Sequence, residues 1–192
     1  MTDACPRLIE VALPIREISA ESVADVAPRF ASKPQMRVEE ADVTAPEFVR
    51  FAGEGIDTVF SLNVFEHIED DVRATENVWE ILRPGGRFVL VVPAHRWLYG
   101  TIDRQIGHYR RYDKQGTAAL FRHAGFEVEA QKYINALGAA GWFVSARLFR
   151  NETPPSGQLR LFNKMVPLLK AIERTFPVPF GISLLTVGQK PD

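Results

Sequence analysis

Residues 55–93, "GIDTVFSLNVFEHIEDDVRATENVWEILRPGGRFVLVVP", constrain the fold more than any other stretch of this chain. Two runs of apolar and β-favouring residues, "DTVFSL" and "RFVLVVP", bracket a segment with the period of a helix. A nearly continuous apolar strand is what a sheet covered on both faces requires. Between the runs, Ile68, Val72, Thr75, Trp79 and Leu82 recur at spacings of 4, 3, 4 and 3, which makes one helix face with Thr75 as its polar member. Glu69, Asp70 and Asp71 fall in the first turn, where the helix dipole favours negative charge. Pro84-Gly85-Gly86 ends the helix near Arg83. "RFVLVVP" then reads as a central buried strand ended by Pro93.

The same alternation extends in both directions. "VALPI" is a short, poor strand ending at Arg16 and Glu17, and "SAESVADVAPRF" is a helix with Ser19 as its N-cap, shortened or bent by Pro28. "MRVEEADV" is another strand. After "AHRWLYGTIDRQIGHYRRYD", a long polar and aromatic connection, Asp113 caps a helix through Leu120, Phe121 and Ala124 that Gly125 closes. "FEVEAQKY" alternates as a half-exposed strand, and "SLLTVGQK" is the last strand. Between them, residues 134–180 have helical character, with Phe162, Met165, Leu169, Ile172 and Phe176 on one face. The whole is an α/β open sheet in one domain, 1–192, with 134–180 as a helical insert or lid within it.

Composition narrows the function classes. Lys and Arg number 23 against 24 Asp and Glu, so nothing calls for a nucleic acid. Cys5 is the only cysteine, which excludes an internal disulfide and a thiolate zinc cluster. His67, His95, His108 and His123 follow no His-Glu-x-x-His spacing, so the sequence offers no metal site. The N-terminus lacks the features of a secretory signal, and the longest apolar stretch, 136–146, is too short to span a bilayer; a cytoplasmic protein is expected. The basic residues and apolar faces of the insert suit either packing on the domain or peripheral contact with a membrane or lipid.

In an open α/β sheet, ligands bind beyond the carboxyl ends of the strands. Glu17, Asp42, Asn63 to His67, and Pro93 to Arg96 occupy those ends. Carboxylates and a short amide there can accept hydrogen bonds from ribose hydroxyls or an exocyclic amine, and they can equally cap helices. "DRQIGHYRRYD", 103–113, is the chemically most unusual segment, with Arg104, Arg110, Arg111 and Lys114 around His108 and near Tyr99, Tyr109 and Tyr112. It reads either as a substrate-facing lid that supplies a base, or as a solvated loop whose arginines pair with the acidic turn at 66–71.

These motifs, in this order, resemble a class I S-adenosylmethionine-dependent methyltransferase. "VEEADVT" resembles the segment after that family's third strand, "IDTVFSLNVFEHIEDD" its fourth-strand motif, and "ILRPGGRFVLVVP" the following helix end and fifth strand. "GFEVEAQKY" and "SLLTVGQKP" resemble its last two strands. The resemblance implies a Rossmann-like sheet, S-adenosyl-L-methionine as cofactor, and methyl transfer to a small-molecule acceptor, lipid-like or aromatic. It implies that Glu17 holds the ribose, that Asp42 with Val43 contacts the adenine, and that Asn63, Val64 and His67 line the cofactor cleft. His108 is then the candidate base, with Tyr109 or Tyr112 orienting the acceptor and His95 as the second candidate.

One departure from the family is large. The first glycine is Gly53, so the expected fold is N-terminally incomplete, without the first strand and its glycine-rich loop. Losing a central strand exposes sheet edges, which motivates self-association and the rival reading of a non-catalytic domain that binds a protein partner.

Overall fold

The computed structural model describes residues 8–12, 28, 32, 36–135 and 181–192. Within them β1 (Leu8–Ala12) and β2 (Met36–Glu40) form a two-stranded parallel pair, in register from Leu8↔Met36 to Ala12↔Glu40. A separate four-stranded sheet is built from β3 (Ile56–Leu62), β4 (Leu82–Pro93), β5 (Glu127–Ile134) and β6 (Ser183–Gln189) in the order β3-β4-β6-β5. β3 and β4 are parallel, while β6 runs antiparallel to both of its neighbours. The helices are α1 (Asp71–Ile81), α2 (Thr101–Gln105) and α3 (Lys114–His123). This is the mixed open sheet with flanking helices that the alternation requires.

Three expectations change on contact with the structure. The first strand lies at Leu8–Ala12; the rest of "VALPI", Glu17 and nearly all of the following helix lie outside the described residues, as does nearly all of the 134–180 insert. The face of α1 is rotated by about a residue. Asp71, Ala74, Thr75, Asn77, Val78 and Ile81 are buried, Val72 is exposed, and Ile68 and Trp79 pack only at the edge of the core. The apolar spacing marked the right helix, but Ala74 and the buried polar Asn77 carry no hydropathy signal. Thr75 tolerates full burial because its hydroxyl donates to the Asp71 carbonyl one turn back, at 2.7 Å.

The third change concerns β3. Among the described residues it is the end strand of its sheet, and Phe60 and Leu62 are 61% and 59% exposed. The expectation of two covered faces therefore fails for this strand among the described residues. It holds better for β4, where Phe88, Leu90 and Val92 are fully buried on one face and Val89 and Val91 half-buried on the other.

Phe88 anchors the core. Its ring stacks on Phe121 from α3 with centroids 5.1 Å apart, and it meets Phe65 and Phe126 at 5.5 and 5.9 Å. Gly188 of β6 lies beneath this cluster, where a Cβ would stand 2.4 Å from the Phe121 ring, so only glycine lets the strand approach. The end of α1 is fixed from the chain's far end. The Lys190 ammonium donates to the carbonyls of Trp79 and Leu82 at 2.8 and 2.9 Å and lies over the Trp79 ring. Helix gives way to extended chain at Leu82, just ahead of Pro84, as the proline demands.

Candidate functional site

β3 ends where Asn63 turns the chain through a left-handed conformation (φ 54°), while its N–H still donates to the Val91 carbonyl of β4. Asparagine enters that region more easily than other side-chain-bearing residues. The turn aims Phe65 into the core, with Glu66 buried beside it and His67 half-buried. Asp70 then caps α1 by accepting from the Arg73 N–H at 2.9 Å.

The loop after β4 folds back onto this turn. The Tyr109 N–H donates to the Glu66 carbonyl at 2.7 Å, and the Tyr112 N–H to the Pro93 carbonyl at 2.9 Å. The Tyr112 hydroxyl is buried and reaches Asp71 at 2.8 Å and the Phe65 carbonyl at 3.1 Å. Burial, together with the Asp71 carboxylate, raises that phenol's pKa far above the ordinary range. Arg110 pairs with the other Asp71 oxygen at 2.8 Å. The pairing of loop arginines with the acidic turn, one of the two readings of this segment, is therefore present at Arg110. It does not displace the other reading, because His108 is held in the same seam.

His108 is buried between two carboxylates. Its Nδ1 lies 2.9 Å from Asp103 Oδ1, and its Nε2 lies 3.8 Å from Glu66 Oε1. Asp103 also accepts from Arg111 Nε at 2.7 Å and from the Gly100 N–H at 2.9 Å. Burial pushes the Asp103 carboxyl up, but the hydrogen bonds from Arg111, His108 and Gly100 outweigh it and hold it below its usual value. Glu66 is the opposite case. It is 1% exposed, its Oε2 has no hydrogen-bond partner, and desolvation pushes its pKa up to about 7. His67 packs edge-on against His108 with ring centroids 4.6 Å apart; burial and the neighbouring imidazole lower its pKa. Glu66, His67 and His108 each place a ligand-type atom within 4.8 Å of the other two.

The remaining expected site residues are more dispersed. Tyr109 is half-exposed at the rim of the seam. His95 follows β4 at φ 65°, buried and stacked on Tyr133 with centroids 4.7 Å apart, and desolvation lowers its pKa. Asp42, exposed just beyond β2, accepts from the Thr44 N–H and hydroxyl at 2.8 and 2.7 Å. Val43 is a core residue whose carbonyl accepts from the buried Asn77 amide at 2.7 Å. Asn63 is exposed at the end of β3, and Val64 is half-buried beside it. A cavity of 370 Å³ against the outside of α1, lined in part by Arg73, Trp79 and His123, contains none of these residues.

Sequence reasoning singled out His108 but gave no role to Asp103, its buried partner, or to Arg111 beyond local charge. Five- and eight-residue separations inside an irregular loop carry no periodic signal. A run of Asp, His and Arg in one connection was the only available sign.

A family model described as a methyltransferase domain matches residues 6–88. A comparison with curated proteins gives no match. Among solved structures, the phosphoethanolamine N-methyltransferase 2 of Haemonchus contortus, in complex with S-adenosyl-L-methionine, is 15% identical; the alignment covers 97% of this chain and 44% of that one, with a TM-score of 0.58. A Haloferax volcanii chain, from a complex between the Trm112 methyltransferase activator and a methyltransferase, is 20% identical over 95% of this chain and 72% of that one, at 0.56. The cyclase SpnF is 14% identical over 94% of this chain and 65% of that one, at 0.57. One architecture thus serves more than one chemistry. The order of strands, the matched domain and these structural relatives together give this chain a class I S-adenosylmethionine-methyltransferase-like fold.

Proposed function

We propose that this protein transfers a methyl group from S-adenosyl-L-methionine to a small-molecule acceptor. The observation that carries the reading is the seam between the turn after β3 and the loop after β4. A polar turn at a strand's carboxyl end meets a loop that presents an oriented imidazole. The exposed Asp42 carboxylate beyond β2 and the exposed Asn63 beyond β3 suit the hydrogen-bonding groups of an adenosine, and Glu17 is assigned to the ribose by the family resemblance. The cofactor supplies an activated sulfonium methyl, and this chain's part is to orient the acceptor and take its proton.

His108 is suited to that second task. A carboxylate only accepts, so the Asp103 contact places the proton of the neutral ring on Nδ1 and leaves a lone pair on Nε2. Tyr109, half-exposed at the rim, is assigned to orienting the acceptor, and His95 is the second candidate base. The test is calorimetric titration of the folded 192-residue chain with S-adenosylhomocysteine. Saturable one-site binding supports the reading; no heat at two temperatures overturns it for this chain.

Phe60 and Leu62 favour a second reading, a non-catalytic domain that associates through the open side of β3. Sedimentation across a concentration series distinguishes the two, since a strictly monomeric chain that binds the cofactor product excludes the second.

A further inference from the structure

The geometry points to a divalent transition-metal site formed by Glu66, His67 and His108. The site does not depend on the methyl-transfer reading. Two imidazoles and one carboxylate form a ligand set that suits zinc, manganese, iron or cobalt better than calcium or magnesium. One ligand atom from each residue already lies within 4.8 Å of the others. Ligands about 2.1 Å from a shared ion stand closer together than that, so small side-chain rotations complete the convergence.

Two further features separate this cluster from a chance meeting of polar groups. Glu66 Oε2 is buried without a hydrogen-bond partner, and an unsatisfied carboxylate oxygen is what a cation would satisfy. His108 Nδ1 is committed to Asp103, which fixes the ring and turns the Nε2 lone pair toward Glu66 at 3.8 Å. A histidine ligand braced through its far nitrogen by a carboxylate is the usual arrangement around bound metals.

Glu66 and His67 come from the turn after β3 and His108 from the loop after β4, so the ion would clasp the two walls of the seam. Three protein ligands leave positions open for water or an acceptor oxygen. His108 would then act through the ion, which lowers the pKa of an oxygen bound to it.

The test uses the full chain, stripped with a chelator and titrated with cobalt(II) alone. The expected result is one equivalent bound, with a visible absorption band and a raised melting temperature. E66Q and H67A should each weaken binding by about tenfold or more. H123A, at an exposed histidine paired with Glu76, should leave it unchanged. A folded wild-type chain that takes up no cobalt saturably overturns the proposal, and so do E66Q and H67A chains that bind as tightly as the wild type. Should the variants not fold, paramagnetic broadening of imidazole signals in the wild type decides. Loss of the His67 and His108 signals supports the site; loss of those of His95 or His123 instead, or of none, overturns it. Titration of the same stripped sample with S-adenosylhomocysteine keeps the two proposals separate, because the cofactor product can bind where cobalt does not.

Discussion

Asp103 and Glu66 stand on opposite walls of one seam, the loop after β4 and the turn after β3, with His108 between them. Both are buried to the same degree, at 0% and 1% exposure, yet their carboxyl pKa values move in opposite directions. Partners make the difference. Asp103 takes hydrogen bonds from Arg111, His108 and the Gly100 N–H, and it stays charged. Glu66 has a bare Oε2, and a hydrogen bond from its own backbone N–H together with the Arg111 charge lowers its pKa too little to offset burial, so desolvation governs it. Burial alone does not decide whether a carboxylate is structural or poised for chemistry; the number of donors aimed at it does.

The comparison breaks most visibly at Asp103. D103N removes the Asp103 charge from the buried pair with Arg111, and losing one partner of a buried ion pair typically costs about 3–5 kcal/mol. Denaturant unfolding at pH 7 measures it. A loss within experimental error of zero would mean that Arg111 is held by something other than this carboxylate. In the wild type, the Asp103 contribution is fully present above the ordinary aspartate value of 3.8 and lost as the pH falls through its lowered folded value.

Glu66 gives the second effect, with the opposite sign. The native state holds its proton up to about pH 7, whereas the unfolded chain releases it near 4.5. The folded protein therefore binds more protons between those values, and metal-free stability falls as pH rises through that window, then levels off. The shift from 4.5 to about 7 corresponds to ~3 kcal/mol at most. E66Q carries no such penalty. It should exceed the wild type by up to that amount at pH 8 and lose the advantage near pH 4. Parallel stability curves for the two proteins across that range would show that Glu66 is solvated in a way its burial denies.

Asp71 is intermediate, a buried carboxylate whose two oxygens are taken by Arg110 and the Tyr112 hydroxyl. Y112F removes one of these bonds and leaves the ion pair, so a loss of about 1–2 kcal/mol is expected in thermal or denaturant unfolding. A loss as large as that of D103N would place the main tether of the seam at Tyr112 and not at Asp103.

The elements behind this comparison were legible in the sequence to very different degrees. The β3-α1-β4 run, the Asp113 cap of α3 and the last strand follow from periodicity and turn chemistry, which act over a few residues. His108 was visible as a base-forming residue in a basic loop. Its partners were not, because Asp103 and Glu66 acquire their character only when two loops close on each other. The buried Asn77, which ties α1 to the carbonyls of Val43 and Ala45, was invisible for the same reason. The exposure of Phe60 and Leu62 on β3 among the described residues was not legible, since an apolar strand looks the same whether or not something covers it.

A carboxylate with partners but little burial completes the series. Asp113 accepts from the Gly116 N–H at 2.7 Å at the start of α3, and it pairs with Arg96, which is largely exposed. Solvent screens that pair, so the cap is the main contribution, and D113A should cost only about 1 kcal/mol. Helix content and melting temperature measured on D113A and D103N together test whether partners or burial set the scale. If partners alone mattered, the two losses would match, since both carboxylates accept a backbone N–H and pair with an arginine. A D113A loss several times smaller than that of D103N would show that desolvation amplifies each partner. That amplification is the same effect that raises the Glu66 pKa, where too few partners meet full burial.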